Sequence, residues 1–167
     1  MEDPTLLLDA YATTVAQRAG DEGRDATRLL RTIQVLATLE GQALPEQRIW
    51  DAADINKVTW KAYDDLLQRV HLAVPAPAFE SNRLKRLTTY PKRFLADTAL
   101  ALTLAGIDVE QLRNDPHLAG RYLESAVMQQ LRPQVDLVGG HLFHLRTTSG
   151  DREIDAIVEV KNQLFAF

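Results

Sequence analysis

The sequence predicts an α+β fold, with a helical domain that carries a two-stranded ribbon followed by a smaller domain in which a helix leads into a sheet. Three observations predict it. Apolar stripes at helical spacing fill residues 4–70 and return over 98–131; strand-like runs interrupt them at 71–74 and 84–94; and from His141 onward the pattern changes to short runs separated by turn residues. The change places a boundary between residues 96 and 97, giving domains 1–96 and 97–167.

Asp3-Pro4 is a helix start, with Leu7, Leu8, Tyr11, Ala12 and Val15 following at helical spacing until Gly20. Asp25 caps a second helix whose stripe is Leu29, Leu30, Ile33, Leu36 and Ala37, closed by Gly41. Pro45 opens a short third helix with Ile49, Trp50 and Ala53. Asp54-Ile55-Asn56 then turns into a fourth, which places Val58, Ala62, Leu66 and Val70 inward beside Tyr63 and Leu67, with Lys57, Trp60, Lys61, Asp64 and Gln68 outward. His71 to Val74 and Leu84 to Phe94 are the ribbon strands. Helix, short helix, turn, longer helix and ribbon is the winged-helix order. Asp97 caps the helix Thr98 to Ala105, ended by Gly106. Asn114-Asp115-Pro116 starts the next, with the stripe Leu118, Tyr122, Leu123, Ala126, Val127 and Leu131 and a stop at Pro133. Three strands close the chain: Leu142 to Leu145, Glu153 to Val160 and Leu164 to Phe167. The last run is so apolar that the polypeptide is expected to be a truncated piece of a longer protein.

The 46% hydrophobic content of 167 residues is enough to bury a core. A net charge of -4 gives no global attraction to nucleic acid or anionic membrane, so such binding needs a local patch. The absence of cysteine excludes disulfide and thiol chemistry. An acidic amino terminus and the lack of an apolar run near the roughly 20 residues of a membrane span predict a cytoplasmic protein without a membrane partner.

Two groups of residues carry chemistry. Arg83, Lys85, Arg86, Lys92 and Arg93 follow Asn82 with no acid before Phe94, the one dense basic cluster in an acidic chain. With Lys57 and Lys61 of the fourth helix they are the candidate contacts to duplex DNA phosphates, although Asp64 and Asp65 oppose that role. The bland alternatives are a solvated ribbon or a docking surface for an acidic partner. Trp60 is a candidate stacking residue, or else is packed under a neighbouring helix.

The second group is acidic. Glu124 lies beside an apolar helical stripe and Asp155 stands in the middle of an apolar strand, where a carboxylate is costly unless paired, hydrogen-bonded or metal-bound. Two carboxylates from separate elements can hold Mg2+, and a metal so held can activate water against a phosphodiester. Glu124 and Asp155 are therefore the candidate catalytic and metal-binding residues, in the layout of PD-(D/E)xK nucleases. Glu159-Val160-Lys161 has the letters of the third motif but lies four residues along the same strand, about 13 Å from Asp155 at the strand rise, and is read as a decoy. The site is thus expected to be incomplete. His141 and His144 fall on opposite faces of a strand, which argues against a shared metal. No phosphate loop or nucleophile elbow occurs.

The run from Asn82-Arg83-Leu84-Lys85-Arg86-Leu87 to Tyr90-Pro91-Lys92-Arg93-Phe94-Leu95-Ala96-Asp97-Thr98-Ala99-Leu100 resembles a segment of a large prokaryotic AAA-type ATPase group. The helix Gly120-Arg121-Tyr122-Leu123-Glu124-Ser125-Ala126-Val127 is similar to another of its motifs, and Arg146, Gly150, Glu153-Ile154-Asp155 and Val158-Glu159 resemble its strands. Ala99 departs from the Gly usual there. The resemblance spans nearly the whole chain and implies a winged-helix module followed by a truncated restriction-endonuclease-like α/β domain. It also implies an ATPase core and a further E-V-K strand that this sequence lacks. No cofactor is expected for this piece alone; Mg2+ and ATP would belong to the full-length protein, whose ATPase domain is an expected partner. Three functions stay open: a nucleic-acid-binding or regulatory module with an inactive, partial nuclease-like domain; a Mg2+-dependent nuclease in the full-length protein; and a non-catalytic protein-interaction domain.

Overall fold

A computed structural model describes residues 4–21, 23, 25–80, 89–146 and 153–167. Helices α1 (Pro4–Asp21), α2 (Ala26–Thr38), α3 (Glu46–Ala53) and α4 (Lys57–Arg69) precede a ribbon of β1 (Ala73–Ala76) and β2 (Lys92–Leu95). Helices α5 (Thr98–Ala105), α6 (Val109–Asn114) and α7 (Pro116–Leu137) then lead to β3 (His141–Arg146), β4 (Glu153–Val160) and β5 (Gln163–Ala166). The α+β class is as expected from the sequence.

The helix ends follow local chemistry. Asp25, Asn56, Asp97 and Asp115 each accept a main-chain N–H in the first turn of the helix they precede. Helix α6, which the stripes did not reveal, is started by a reciprocal capping box between Asp108 and Gln111. Helix α7 does not stop at Pro133 but runs through it to Leu137. An interior proline costs about 3 kcal/mol; burial of Val135 against the sheet core offsets it.

Two apolar clusters organise the molecule. The first joins α1, α2 and α4 with Leu95, Leu100, Ala101 and Tyr122. The second lies between the ribbon, α7 and the sheet, and contains Ala76, Phe94, Met128, Val135, Leu142, Ala156 and Val158. Residues on both sides of the expected 96/97 boundary enter both clusters. Neighbouring β2 residues Phe94 and Leu95 belong to different ones, so the ribbon is the seam.

The ribbon is antiparallel, with Ala73 opposite Leu95 and Ala76 opposite Lys92. The sheet is antiparallel in the order β3-β4-β5. Lys161 and Asn162 join β4 to β5 with φ of 47° and 65°, the left-handed pair that a tight two-residue hairpin turn needs. Between Phe143 and Leu145 the β3–β4 register slips: Phe143 faces Ile157 but Leu145 faces Ile154. One residue of β3, His144, therefore opposes two of β4, Asp155 and Ala156. This bulge breaks the strict alternation the sequence predicts, and Ala156, Ile157 and Val158 are buried in succession. Beyond β1, Ala78 bridges to His144 in parallel, with Phe79 N–H donating to the His144 carbonyl at 2.6 Å. That contact joins the ribbon to the sheet.

Two helix faces differ from the sequence reading. In α4, Trp60 is fully buried while Val58 is exposed. In α7, Tyr122, Ser125 and Met128 are buried whereas Leu123 and Val127 are exposed. Both rotations arise where an internal polar partner selects the face: Arg93 over Trp60, and Glu40 beneath Ser125. No helix among the described residues is long and apolar enough to cross a membrane.

Trp60→Ala should therefore cost about 3–5 kcal/mol in urea unfolding, the usual range for emptying a core aromatic site, whereas Val58→Ala should stay within about 0.5 kcal/mol.

Candidate functional site

Strand β2 delivers two cations in succession, and alternation sends them to opposite sides of the ribbon. Lys92 is buried at 4% relative exposure and Arg93 at 7%. The Lys92 ammonium donates to Glu124 Oε1 at 2.7 Å and Asp155 Oδ1 at 3.2 Å, and pairs with Glu153 Oε1 at 2.6 Å. The Arg93 guanidinium reaches Glu46 Oε1 at 2.9 Å and Asp64 Oδ1 at 3.3 Å, and lies 5.2 Å from the centre of the Trp60 ring. Both residues were expected to contact phosphate. Their burial and their acidic partners remove them from that surface, since a charge that leaves water must be paired. Arg83, Lys85 and Arg86 lie outside the described residues.

Glu124 of α7 and Asp155 of β4 thus flank one ammonium, with Glu153 as a third carboxylate. The β4 bulge accounts for this, because it re-aims the side chains at the end of the strand nearest the ribbon. The side chain of Asp155 remains 62% exposed and that of Glu124 only 12%. Burial pushes Glu124 up to about 7; Lys92 opposes that shift, and Asp155 and Glu153 reinforce it. Burial works against the charge on Lys92, but Glu124 and Glu153 outweigh it and its pKa is raised. Glu153 is lowered: burial raises it, and the Lys92 ammonium overcomes that. Gly41 (φ 68°) lies behind the site, where an added Cβ would come within 3.2 Å of the Phe94 ring and 3.7 Å of Glu124 Oε2.

Glu124 and Asp155, expected as Mg2+ ligands, have an ammonium between them instead. Among the described residues no group of three or more His, Asp or Glu side chains has an arrangement that could hold a metal ion. Glu159 is placed opposite His141 and Leu164 within the sheet. His141 and His144 are separated as expected: the first is exposed and the second buried at 1%. His144 Nδ1 has no hydrogen-bond partner, and burial lowers the pKa of the ring.

The sequence reading missed Glu40. It is fully buried, accepts the Leu95 N–H on both oxygens at 3.1 Å, and receives the Ser125 hydroxyl at 2.6 Å. Burial pushes it up to about 8, partly offset by the Ser125 and Leu95 hydrogen bonds. A signal was present: Glu40 falls at helical spacing after Leu29, Ile33, Leu36 and Ala37, although the helix itself ends at Thr38.

A second feature lies on the other side of the ribbon. A polar cleft of about 400 Å3 is lined by Lys57, Lys61, Trp50, Thr89, Tyr90 and Glu46, among others. The Lys61 side chain is 63% exposed and lies 3.7 Å from Glu46 Oε2. Lys57 is also exposed, at the start of α4. Trp60, the candidate stacking residue, is in the core, and Trp50 and Tyr90 are the aromatic residues at the cleft.

Residues 6–111 match the family described as Domain of unknown function (DUF8612). The chain belongs to that family. The DUF8612 match contains Glu40, Lys92, Arg93 and the polar cleft, whereas Glu124, Glu153 and Asp155 come from the sequence after it. Over 172 aligned residues the DUF8612 chain is 28% identical to an uncharacterized protein of Mycobacterium tuberculosis and equally to one of Mycobacterium bovis, with 99% of this chain covered. It spans 38% of the length of each of those curated relatives. No solved structure matches it.

The buried acid sets a pH dependence. Folding raises Glu40 from 4.5 to about 8, so its contribution is fully present below pH 4.5 and is lost as pH rises through 8. Urea-unfolding free energy should fall by several kcal/mol between pH 5 and pH 9, since each tenfold change in proton affinity on folding is worth about 1.4 kcal/mol. Glu40→Gln, which imitates the protonated acid, should flatten that decline.

Proposed function

We propose that this chain is a nucleic-acid-binding, regulatory module of a longer protein of the AAA-type ATPase group it resembles, in which the nuclease-like constellation is not catalytic. The observation that carries the binding half is the cleft where Lys57 and Lys61 stand beside Trp50 and Tyr90, at the end of the segment in which Arg83, Lys85 and Arg86 lie. Lysines supply phosphate contacts without reading sequence, and aromatic rings give a stacking surface for bases. The order helix, short helix, turn, longer helix and ribbon supports a winged-helix reading of the same region. The catalytic half rests on Lys92: its ammonium sits among the three carboxylates and offsets part of the charge that would otherwise attract a cation.

Duplex DNA should bind with a steep salt dependence, and Lys57→Ala with Lys61→Ala should lower the log–log slope by about 0.9 for each phosphate that is no longer neutralised. Binding that is undetectable at low salt, or unaffected by both substitutions, removes this reading. Mg2+ should leave the melting temperature of the chain unchanged and elicit no cleavage of DNA; Mg2+-dependent cleavage abolished by Asp155→Ala would replace it with the nuclease reading.

A further inference from the structure

A groove of about 570 Å3 lies between α1, α5 and α6. Leu8 of α1, Leu102 of α5 and Leu112 of α6 form its walls, with Ile107 between the two shorter helices. These four side chains are half-buried, and Val109, which also lines the groove, is 62% exposed. The volume falls within the roughly 300–1,000 Å3 of small-molecule sites, whose linings are likewise mainly apolar with a few polar groups.

The polar part of the lining has one sign. Among the described residues its only charged side chains are the carboxylates of Asp9 and Asp108, accompanied by the Thr103 hydroxyl. Asp108 Oδ1 accepts the Gln111 N–H at 2.8 Å, and among the described residues its other oxygen has no donor and Asp9 has no ion pair. Leu102, Thr103 and Gly106 bring in the carboxyl end of α5, which closes at Gly106 with φ of 66°. A helix carboxyl end carries a partial negative charge, while the amino end of α6 is already answered by the Asp108 cap. We propose that the groove binds a small hydrophobic cation, an apolar body carrying one ammonium group, with the body against Leu102, Ile107 and Leu112 and the ammonium toward the two carboxylates. A neutral molecule of the same shape gains the apolar contact alone, and an anionic one meets like charge.

Naphthylmethylamine, naphthylmethanol and naphthoate share one ring system and differ in charge at neutral pH. Each is titrated at low salt into the intact 167-residue chain and followed by the Ile107 and Leu112 methyl signals. The amine should give saturable shifts and bind about fivefold more tightly than the alcohol, the worth of a part-exposed ion pair, and naphthoate should bind more weakly than either. Asp9→Asn combined with Asp108→Asn, which keeps a cap acceptor for α6, should bring amine and alcohol to equal affinity. Ala99 lines the same groove from an exposed position on α5, so Ala99→Trp should block both ligands with cooperative thermal unfolding retained. Absence of saturable shifts at millimolar amine, equal affinity of amine and alcohol for the unaltered chain, a preference that survives the double substitution, or binding that survives Ala99→Trp overturns the assignment. Self-association of the chain that Ala99→Trp abolishes also overturns it, and makes a second copy the occupant.

Discussion

The four-residue strand β2 holds the structure together through opposite placements of two adjacent cations. Lys92 goes into the carboxylates of α7 and β4, while Arg93 goes into those of α3 and α4. Between them the peptide backbone bridges to Ala43 and to β1, and Gly41 N–H donates to the Arg93 carbonyl at 2.9 Å. Buried ion pairs contribute little net stability over a well-packed apolar core, but loss of one partner leaves an uncompensated charge inside. Their effect here is therefore on geometry: they fix which helix faces meet the ribbon, and in what register.

The same constraint governs the buried acids. Glu124 meets Lys92, and the next residue, Ser125, donates to Glu40, whose oxygens in turn hold the Leu95 N–H. Two consecutive residues of α7 thus fasten it to both ends of β2. Tyr122, one helical turn before Ser125, extends the contact by donating to the Ala37 carbonyl at 2.9 Å. A largely hydrogen-bonded network of this kind specifies one arrangement of α2, β2 and α7, because any other leaves a carboxyl without donors in a low-dielectric interior.

For function, the consequence is a division of the basic residues. Those drawn into β2 hold the two apolar clusters together, and those on α4 face the solvent at an aromatic-lined cleft. The acidic trio of Glu124, Glu153 and Asp155 gathers around an internal ammonium, that of Lys92.

Local pattern determined the α+β class, most helix starts and the three sheet strands, because caps, prolines and apolar periodicity act over a few residues; the ribbon strands lie at Ala73–Ala76 and Lys92–Leu95 rather than at 71–74 and 84–94, and residues 84–88 of the second expected strand lie outside the described residues. It also singled out Glu124 and Asp155, as acids in apolar surroundings. Only the tertiary structure decided that Lys92 stands between them, that Glu153 joins them, and that Trp60 is buried rather than displayed. The physical reason is that a buried charge is placed by the partner that neutralises it. Lys92 is 32 residues from Glu124 and 63 from Asp155 in sequence, and the bulge that aims Asp155 is a matter of strand register, which the alternation of side chains in one strand does not contain.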